Sequence, residues 1–436
     1  MKKYFYLGQK LFPITRSITG NGVRETLLII KRYIKSLKIR KISSGTKVFD
    51  WKIPPEWNIS DAYVIDKNSK KIIDFKKSNL HVVNYSEPVN LILTKSKLIK
   101  KIFFFKNFPS AIPYITSYYK KRWGFCVSYD FFKKKLIKYK NNDKFHVKII
   151  SNFNNHGCLN YGETLIKGKS KKEILISSYI CHPSMANNEL SGPLVSTAIY
   201  NYFMNKKNKY SLRFVFIPET IGSISYINKN FKKLKKNVVA GFNLTCIGDD
   251  RSYSFLPTKY DSISNYAAKK AFKDLKIKFK EYSFLSRGSD ERQYNSPGVD
   301  LPVASIMRTK YGEYKEYHTS KDNFNLVTPK GLQGGYNVTK KAIEILMDLN
   351  LSKIIYRKKI NGFPKNKILC EPMMSKRKLY PTLGNTHRSK NLIDIMNFLQ
   401  YADGTNSLNT ISKSIKISLK KTNKIFLLLK KHNLIT

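Results

Sequence analysis

The chain has 436 residues, of which 42% are hydrophobic, so it can bury at least one large core in two or three domains. Its longest apolar runs fall well short of the roughly 20 residues that a transmembrane helix needs. Its first residues lack the apolar region of a signal peptide, and the five cysteines are scattered without a CxxC pair. These features predict a cytoplasmic protein with free thiols and no contact with a membrane.

The formal net charge is +52 at pH 7. Such an excess favours anionic partners such as nucleic acid or a membrane surface. However, Lys, Ile and Asn are abundant along the whole chain, as A/T-rich codons would produce, and Lys far outnumbers Arg. A surface selected for phosphate binding more often concentrates Arg, whose guanidinium binds in a bidentate manner. The favoured interpretation is therefore that codon bias produces most of the charge.

The first predicted element is a helix with apolar residues at helical spacing from Val23 to Ile34. The pattern then changes to short strand-like runs that are separated by turn residues, among them the runs DAYVID, LHVVNYS and VNLILTK. This change predicts an inserted, mostly-β domain over 45–105. The α/β domain that receives it comprises 1–44 and 106–356.

Between about 150 and 350 the predicted strands alternate with predicted helices. This alternation favours a largely parallel sheet with helices on both faces. The predicted strands cover 173–180, 212–217, 238–246 and 301–307. The predicted helices cover 193–204, 222–234, 262–274 and 331–349.

The C-terminal part of the chain is predicted to form a separate module. A basic, proline-containing stretch over 357–390 is interpreted as a linker. Apolar residues then mark three short helices within 391–436, and Ser418 is predicted to cap the third. This spacing is typical of a winged-helix unit, which binds either nucleic acid or protein.

The segment over 174–192 carries the densest set of reactive groups. Its apolar strand ends shortly before His182, and the loop that follows holds Asn188, Glu189 and Ser191. Ligand sites of open α/β sheets lie in the loops beyond the carboxyl ends of the strands. Further loops at predicted strand ends carry Glu219, Asp249, Asp250, Asp290, Glu291, Tyr317 and His318.

Imidazoles and carboxylates that converge on one edge of a sheet are what a zinc hydrolase needs. The order of these loops resembles that of the two-zinc aminopeptidases of peptidase clan MH. More narrowly, the chain resembles bacterial aminopeptidase-like domain proteins. The stretches that carry this resemblance are RSITGNGVRETL, FDWKIPPEWNISDAYVID, SNLHVVNYSEPV, CHPSMANNELSGP and YHTSKDNF.

The resemblance covers nearly the whole chain and implies its architecture. The implied fold class is α/β, with a zinc-aminopeptidase-like (phosphorylase/hydrolase-like) three-layer core. An inserted mostly-β domain and a C-terminal winged-helix domain complete it.

The chain departs from the two-zinc pattern at three ligand positions. Asn188 stands in place of the bridging Asp, Thr220 in place of a second Glu, and Thr245 in place of an Asp. Neutral amides and hydroxyls cannot replace carboxylates in neutralising two divalent cations. We therefore expect one zinc ion in preference to two.

The resemblance also implies roles for individual side chains. His182 and His318 fall at metal-ligand positions, and Glu219 falls at the catalytic base, although it could instead align with the second Glu and bind metal. The remaining candidates are Asp290 for catalysis, Glu189 and Asn188 for metal binding, and Glu291 and Tyr317 for substrate binding.

The preferred function is a zinc-dependent, aminopeptidase-like hydrolase that cleaves an amide or peptide bond with a metal-activated water. Its partner would be a peptide or a small amine or amide. Two alternatives remain open: a degenerate peptidase fold that binds without cleaving, and a DNA-binding regulator that uses the winged helix. The sequence does not determine the oligomeric state.

Overall fold

We describe the protein from a computed structural model that defines residues 1–351, 364–384 and 389–436. Within these residues the strands in chain order are β1 (Lys38–Ser43), β2 (Lys47–Val48), β3 (Trp51–Lys52), β4 (Glu56–Ile65), β5 (Lys71–Asp74), β6 (Val89–Thr94), β7 (Ile102–Phe103), β8 (Phe125–Cys126), β9 (Lys144–Asn154), β10 (Cys158–Ile166), β11 (Ser170–Tyr179), β12 (Tyr210–Ile217), β13 (Val238–Leu244), β14 (Ser254–Leu256), β15 (Lys280–Glu281) and β16 (Val303–Met307). The α-helices are α1 (Lys2–Leu11), α2 (Asn21–Tyr33), α3 (Lys95–Ile99), α4 (Tyr129–Phe131), α5 (Ser191–Phe203), α6 (Ile221–Asn237), α7 (Ile263–Asp274), α8 (Glu291–Tyr294), α9 (Pro329–Asp348), α10 (Lys390–Tyr401), α11 (Leu408–Ile415) and α12 (Leu419–Lys431).

A mixed eight-stranded sheet forms the centre, with the strand order β1-β10-β12-β11-β13-β16-β14-β15. Its four middle strands run parallel, and antiparallel pairs flank them. Every residue of β12 and of β13 is buried, as expected for strands that are covered on both faces. The strands and helices predicted between 150 and 350 are confirmed, each within three residues at either end.

Two apolar clusters cover the two faces of this sheet. Alternating residues of β11 show the division, because Ile174 and Ile176 belong to one cluster and Leu175 belongs to the other. Helices α1, α2, α5, α7 and α9 contribute to the first cluster, and α6 packs on the opposite face. The predicted three-layer α/β core is therefore confirmed.

The inserted unit contains a separate sheet with the strand order β5-β4-β9-β6. Its longest pairing joins β4 to β9, from Glu56 opposite Asn154 to Ile65 opposite His146. Strand β9 belongs to this sheet but lies outside the predicted range 45–105. The prediction did not include it because its partner, β4, is distant along the chain. The run LHVVNYS, predicted as a strand, instead forms a 3₁₀ turn and two isolated bridges.

Short hydrogen bonds join the inserted unit to the N-terminal part of the core. Ser17 Oγ donates to Asn84 Oδ1 at 2.6 Å, and the backbone N–H of Trp57 donates to Thr19 Oγ1 at 3.0 Å. Gly20 has a φ of 103°, and a Cβ at this position would lie 2.1 Å from the Trp57 carbonyl oxygen. Only glycine fits at this position directly before α2, because the Trp57 carbonyl oxygen leaves no room for a side chain.

The C-terminal module consists of α10, α11 and α12 around its own apolar core, which includes Phe398, Ile411 and Leu429. Ser418 caps α12 as predicted, since its side chain accepts a hydrogen bond from the backbone N–H of Lys421. An antiparallel bridge joins Asn366 to Ile435 near the end of the chain.

The stretch 364–384, part of the predicted linker, packs against the core and the inserted unit. Trp51 Nε1 donates to the Glu371 carbonyl at 2.7 Å, and Asp50 accepts from the Met373 backbone at 2.8 Å and pairs with Arg377. Residues 357–363 and 385–388 of the predicted linker lie outside the described residues. The described part of this stretch is therefore packed onto the folded protein.

All five cysteines are free thiols, as predicted. Among the described residues, no helix combines the length and the apolar character that crossing a membrane would require.

One partly buried ion pair joins α2 to the inserted sheet. Arg24 donates to Glu56 Oε2 at 2.8 Å, and the backbone N–H of Cys158 donates to the same oxygen at 3.0 Å. The hydrogen bonds from Arg24, against the opposing effect of burial, lower the pKa of Glu56 from 4.5 to about 2.

We expect Glu56→Gln to lower the free energy of unfolding near neutral pH by about 1–3 kcal/mol, because it removes charge-assisted hydrogen bonds. The folded-state pKa lies below the unfolded value, so this stability is complete above pH 4.5 and is lost as the pH falls towards about 2. Urea denaturation of both proteins should show their difference shrinking over that range. The control Asp61→Asn, whose partner Lys76 is exposed, should change stability by less than about 0.5 kcal/mol; an equal loss would contradict the prediction.

Candidate functional site

The carboxyl ends of two neighbouring parallel strands bring His182 and Glu219 together. His182 lies three residues beyond the end of β11, and Glu219 lies two residues beyond the end of β12. His182 Nε2 is 3.6 Å from Glu219 Oε2. His182 is 5% exposed, whereas the Glu219 side chain is 22% exposed and borders a cavity. The fold therefore brings these two candidate residues close together.

A strained turn presents Glu219 to the imidazole. The next residue, Thr220, has a φ of 64°, which is costly for a β-branched residue. Its backbone N–H donates to Asp290 Oδ1 at 2.8 Å, and its hydroxyl accepts from Arg292. The Glu219 backbone N–H donates to Cys181 Sγ at 3.2 Å. These contacts hold the turn in its unfavourable conformation.

A buried chain of charges orients His182. Its Nδ1 donates to Glu189 Oε2 at 2.6 Å, and Glu189 Oε1 lies 3.9 Å from Arg16 Nε. Arg16 Nε also donates to the His182 carbonyl at 2.9 Å. Burial works to lower the pKa of His182, but the neighbouring Cys181 and Glu189 outweigh it and raise that pKa well above its ordinary value. With Nδ1 engaged, the other ring nitrogen, Nε2, is directed to Glu219.

The structure does not support the predicted metal-ligand role of Glu189. Cys181, His182 and Glu189 do offer ligand atoms within 4.8 Å of one another. However, Glu189 lies on the side of the imidazole that faces away from Glu219, against the fully buried guanidinium of Arg16, which opposes a cation there. Burial also raises the pKa of the Cys181 thiol to about 11. Glu189 is therefore placed to orient His182.

His318 lies beside His182, with 5.4 Å between the ring centroids. Tyr317 stacks on the His318 ring at 3.9 Å, and Tyr114 contacts both imidazoles edge-on. The structure thus brings both predicted histidines to one place. Tyr317 stacks on the His318 ring, and its substrate contact stays a prediction.

The positions of the missing carboxylates are filled by a neutral hydrogen-bond network. Asn188 Nδ2 donates to the Tyr179 hydroxyl, which also bonds to Thr245 Oγ1 at 2.5 Å. Thr245 Oγ1 in turn contacts the Asn188 carbonyl at 3.0 Å. Burial raises the pKa of Tyr179 well above its ordinary value, so the phenol stays neutral. The Asn188 amide nitrogen is therefore engaged with Tyr179, whereas its Oδ1 is buried without a hydrogen-bond partner, and the metal-ligand role of Asn188 stays a prediction.

The two predicted acids at 290 and 291 lie behind the site. Asp290 is fully buried and accepts from Thr220 N and from Ser223 Oγ at 2.7 Å. Burial, with the nearby charge of Glu219, raises the pKa of Asp290 to about 7. Asp290 therefore supports the Glu219 turn from behind.

Glu291 is fully buried, and its two carboxylate oxygens accept hydrogen bonds from five donors. The donors are the backbone N–H groups of Gly288 and Ser289 and the side chains of Tyr311, Asn243 and Ser305. The structure does not bring Glu291 to the cavity, and this burial contradicts its predicted role in substrate binding.

A cavity of about 220 Å³ opens next to His182 and Glu219. Three parts of the chain line it. The inserted unit supplies Trp51, Tyr118 and Tyr119, the core supplies His182, Glu219 and Arg292, and the C-terminal part supplies Glu371, Met374, Tyr380 and Met396. Sequence reasoning missed the C-terminal wall because basic residues and prolines made 357–390 read as a linker. The apolar residues Leu369, Pro372 and Met374 within it were the available signal.

The ring centroids of His182 and His318 lie 5.4 Å apart, so both imidazoles, which are common zinc ligands, border the same space. Glu219 is the carboxylate nearest to His182 Nε2. Asn188 and Thr245 are neutral and supply no carboxylate for a second ion. His182, His318 and Glu219 are therefore the side chains that could hold a divalent cation at the cavity wall.

The three-layer core and the strand-end site define a zinc-aminopeptidase-like fold, and solved structures agree. A zinc aminopeptidase from Bacillus subtilis is similar with a TM-score of 0.58 at 13% identity, over 81% of this chain and 97% of that chain. A peptidase M28 precursor from Shewanella amazonensis has a TM-score of 0.58 at 12% identity, over 82% of this chain and 95% of that chain. At these identities the likeness shows the fold alone.

The chain belongs to the family described as domain of unknown function DUF4910, which matches residues 5–349. A winged helix-turn-helix family matches residues 363–436. A Clostridium acetobutylicum protein is 40% identical over 410 residues, which cover 94% of this chain and 90% of that protein; its name provisionally assigns it to polysaccharide biosynthesis and gives it an aminopeptidase-like domain.

A crystal structure from the same organism, provisionally described as a peptidase, has a TM-score of 0.76 at 37% identity and covers 100% of this chain and 96% of that chain. The predicted resemblance to aminopeptidase-like domain proteins with a C-terminal winged helix is confirmed.

Proposed function

We propose that the protein is a metal-dependent hydrolase that cleaves an amide bond in a small substrate. The observation that carries this proposal is the pair His182 and Glu219, 3.6 Å apart at the wall of a cavity, with the His318 ring beside it. The aminopeptidase-like family and the fold of zinc aminopeptidases support the same class of reaction.

The residues of the site have separate roles in this reaction. His182 Nε2 and His318 would hold a zinc ion, which when bound supplies a Lewis acid and lowers the pKa of water towards neutrality. Arg16 and Glu189 keep the His182 ring in its orientation through Nδ1. Glu219, at the edge of the cavity, accepts a proton on its carboxylate during attack and returns it to the departing amine.

The C. acetobutylicum relative's name supports a substrate from polysaccharide biosynthesis over a general peptide. The cavity, about 220 Å³, fits a small group. We therefore propose an amide carried by a small saccharide precursor as the substrate.

Nucleic-acid binding by the winged helix-turn-helix is a second candidate, because α12 carries exposed lysines at 420, 424, 430 and 431. We expect Lys424→Glu to weaken binding to duplex DNA and to reduce the slope of affinity against salt by about 1. Filter binding over a salt series measures this slope. Lys232→Glu, on exposed α6 of the core, is the control and should leave it unchanged; equal effects of both changes would contradict a specific α12 surface.

The metal proposal predicts about one zinc ion per chain in protein purified without a chelating tag, since the donor set fits a single ion. His182→Ala and His318→Ala should each remove most of it, as measured by elemental analysis. His156→Ala, in the exposed hairpin between β9 and β10, is the control and should keep the wild-type content. Two ions per chain, or unchanged content in both site variants, would contradict the ligand assignment.

The proton-transfer role predicts that Glu219→Gln lowers amide hydrolysis by about 10²–10⁴-fold, because an amide cannot accept the proton. Turnover and zinc content should be measured on one sample. Retained zinc would identify the carboxylate as the proton acceptor, and lost zinc would identify it as a ligand. Glu281→Gln, at an exposed ion pair with Lys269, is the matched control. Unchanged turnover in Glu219→Gln would remove this residue from the reaction.

A further inference from the structure

The acids around the cavity differ from what a free-amine substrate requires. An enzyme that removes an N-terminal residue must pair the substrate's ammonium group with an anion, because a buried, unpaired charge is costly. Among the described residues that line the cavity, the acids are Glu219 and Glu371. Glu219 faces His182 and is assigned to the reaction.

Glu371 is committed to holding the C-terminal segment in place. Its Oε2 accepts from Gln293 Nε2 at 2.9 Å and lies 3.4 Å from Arg292, and its Oε1 accepts from Gln400 Nε2 at 3.5 Å. The residue is 6% exposed. Arg292 and the two amide donors therefore already compensate the charge of Glu371.

The two buried acids nearest to the site are Glu189 and Asp290. Glu189 accepts from His182 and lies against Arg16. Asp290 accepts from Thr220 and Ser223. Neither lines the cavity.

Positive charge in and around the cavity also disfavours a substrate with an ammonium group. The Arg292 guanidinium lies in the cavity wall with a side chain that is 12% exposed. The whole chain carries a formal charge of +52. A field of this sign lowers the local concentration of cations and favours neutral or anionic ligands. Apolar and aromatic side chains, among them Trp51, Tyr118 and Met374, form much of the remaining wall.

We propose that this site accepts amides whose amine is acylated and discriminates against substrates with a free ammonium group. The substrate class is therefore an N-acylated amine, neutral or anionic overall, and the reaction is deacylation instead of removal of an N-terminal residue. Hydrolysis adds water across the C–N bond, with the hydroxyl going to the acyl carbon and the proton to the amine. This inference rests on the proposed function for the identity of the site.

The test compares two ligands that differ only in the acyl group, L-leucinamide and N-acetyl-L-leucinamide, by calorimetric titration of the full-length protein. The pH is kept below about 7, so that the free amine, with a pKa of about 7.7–8.0, is protonated. We expect N-acetyl-leucinamide to bind at least about tenfold more tightly, the effect of leaving one charge without a partner. Equal or tighter binding of leucinamide overturns the inference, as does the absence of binding by both.

Glu371→Gln provides a second arm. If Glu371 bound the ammonium group, the change would weaken leucinamide alone, and that outcome overturns the inference. An unchanged ratio of the two affinities supports it. Since the comparison in the wild type stands by itself, a variant that fails to fold does not remove the test.

Turnover separates this inference from the proposed function. Binding of N-acetyl-leucinamide without hydrolysis of any amide contradicts the hydrolase but leaves the ligand class supported. A higher kcat/KM for free-amine substrates than for their acylated partners supports the hydrolase and overturns the ligand class.

Discussion

The interaction on which the site depends is the buried chain from Arg16 through Glu189 to His182. It joins the N-terminal segment to the loop at the end of β11 and leaves only one nitrogen of the imidazole facing the cavity. A buried ion pair contributes little net stability, but it fixes geometry, because removing either partner leaves an uncompensated charge. The orientation of His182 towards Glu219 follows from this constraint.

The hydrogen-bond network around Tyr179 is neutral, in contrast to the charged chain that orients His182. Carboxylates at the positions of Asn188 and Thr245 would need cations to offset their mutual repulsion and their desolvation. The amide nitrogen and the hydroxyls instead bond to one another through the Tyr179 phenol. The core therefore combines a zinc-aminopeptidase-like fold with neutral side chains at these two positions.

The cavity depends on parts of the chain that are far apart in sequence. The inserted unit supplies aromatic walls, and the segment before the winged helix closes the opposite side. Asp50 and Trp51 hold that segment through Arg377 and the Glu371 carbonyl. The first helix of the winged module is anchored as well, because Arg287 donates to the Met396 carbonyl and to Asn397 Oδ1. Any movement of the C-terminal module would therefore alter the wall of the site.

Local patterns in the sequence predict the alternating strands and helices of the core, the three terminal helices, and the loops that carry His182, Glu219 and His318. These features follow from local periodicity, from capping residues such as Ser418, and from the rule that strand ends carry sites. Their residues lie close together in the chain or recur in a fixed order, so a one-dimensional pattern contains them.

Which acids face the cavity depends on tertiary contacts that a local sequence pattern does not contain. Glu291 looked as available as Glu219 in the sequence, yet its carboxylate is buried among five donors. Two further features could not be predicted from the sequence pattern. They are the pairing of β9 in the inserted sheet and the packing of 364–384 on the core. In each case the deciding partners are distant in the chain, and burial and hydrogen-bond satisfaction depend on partners that only the folded protein brings together.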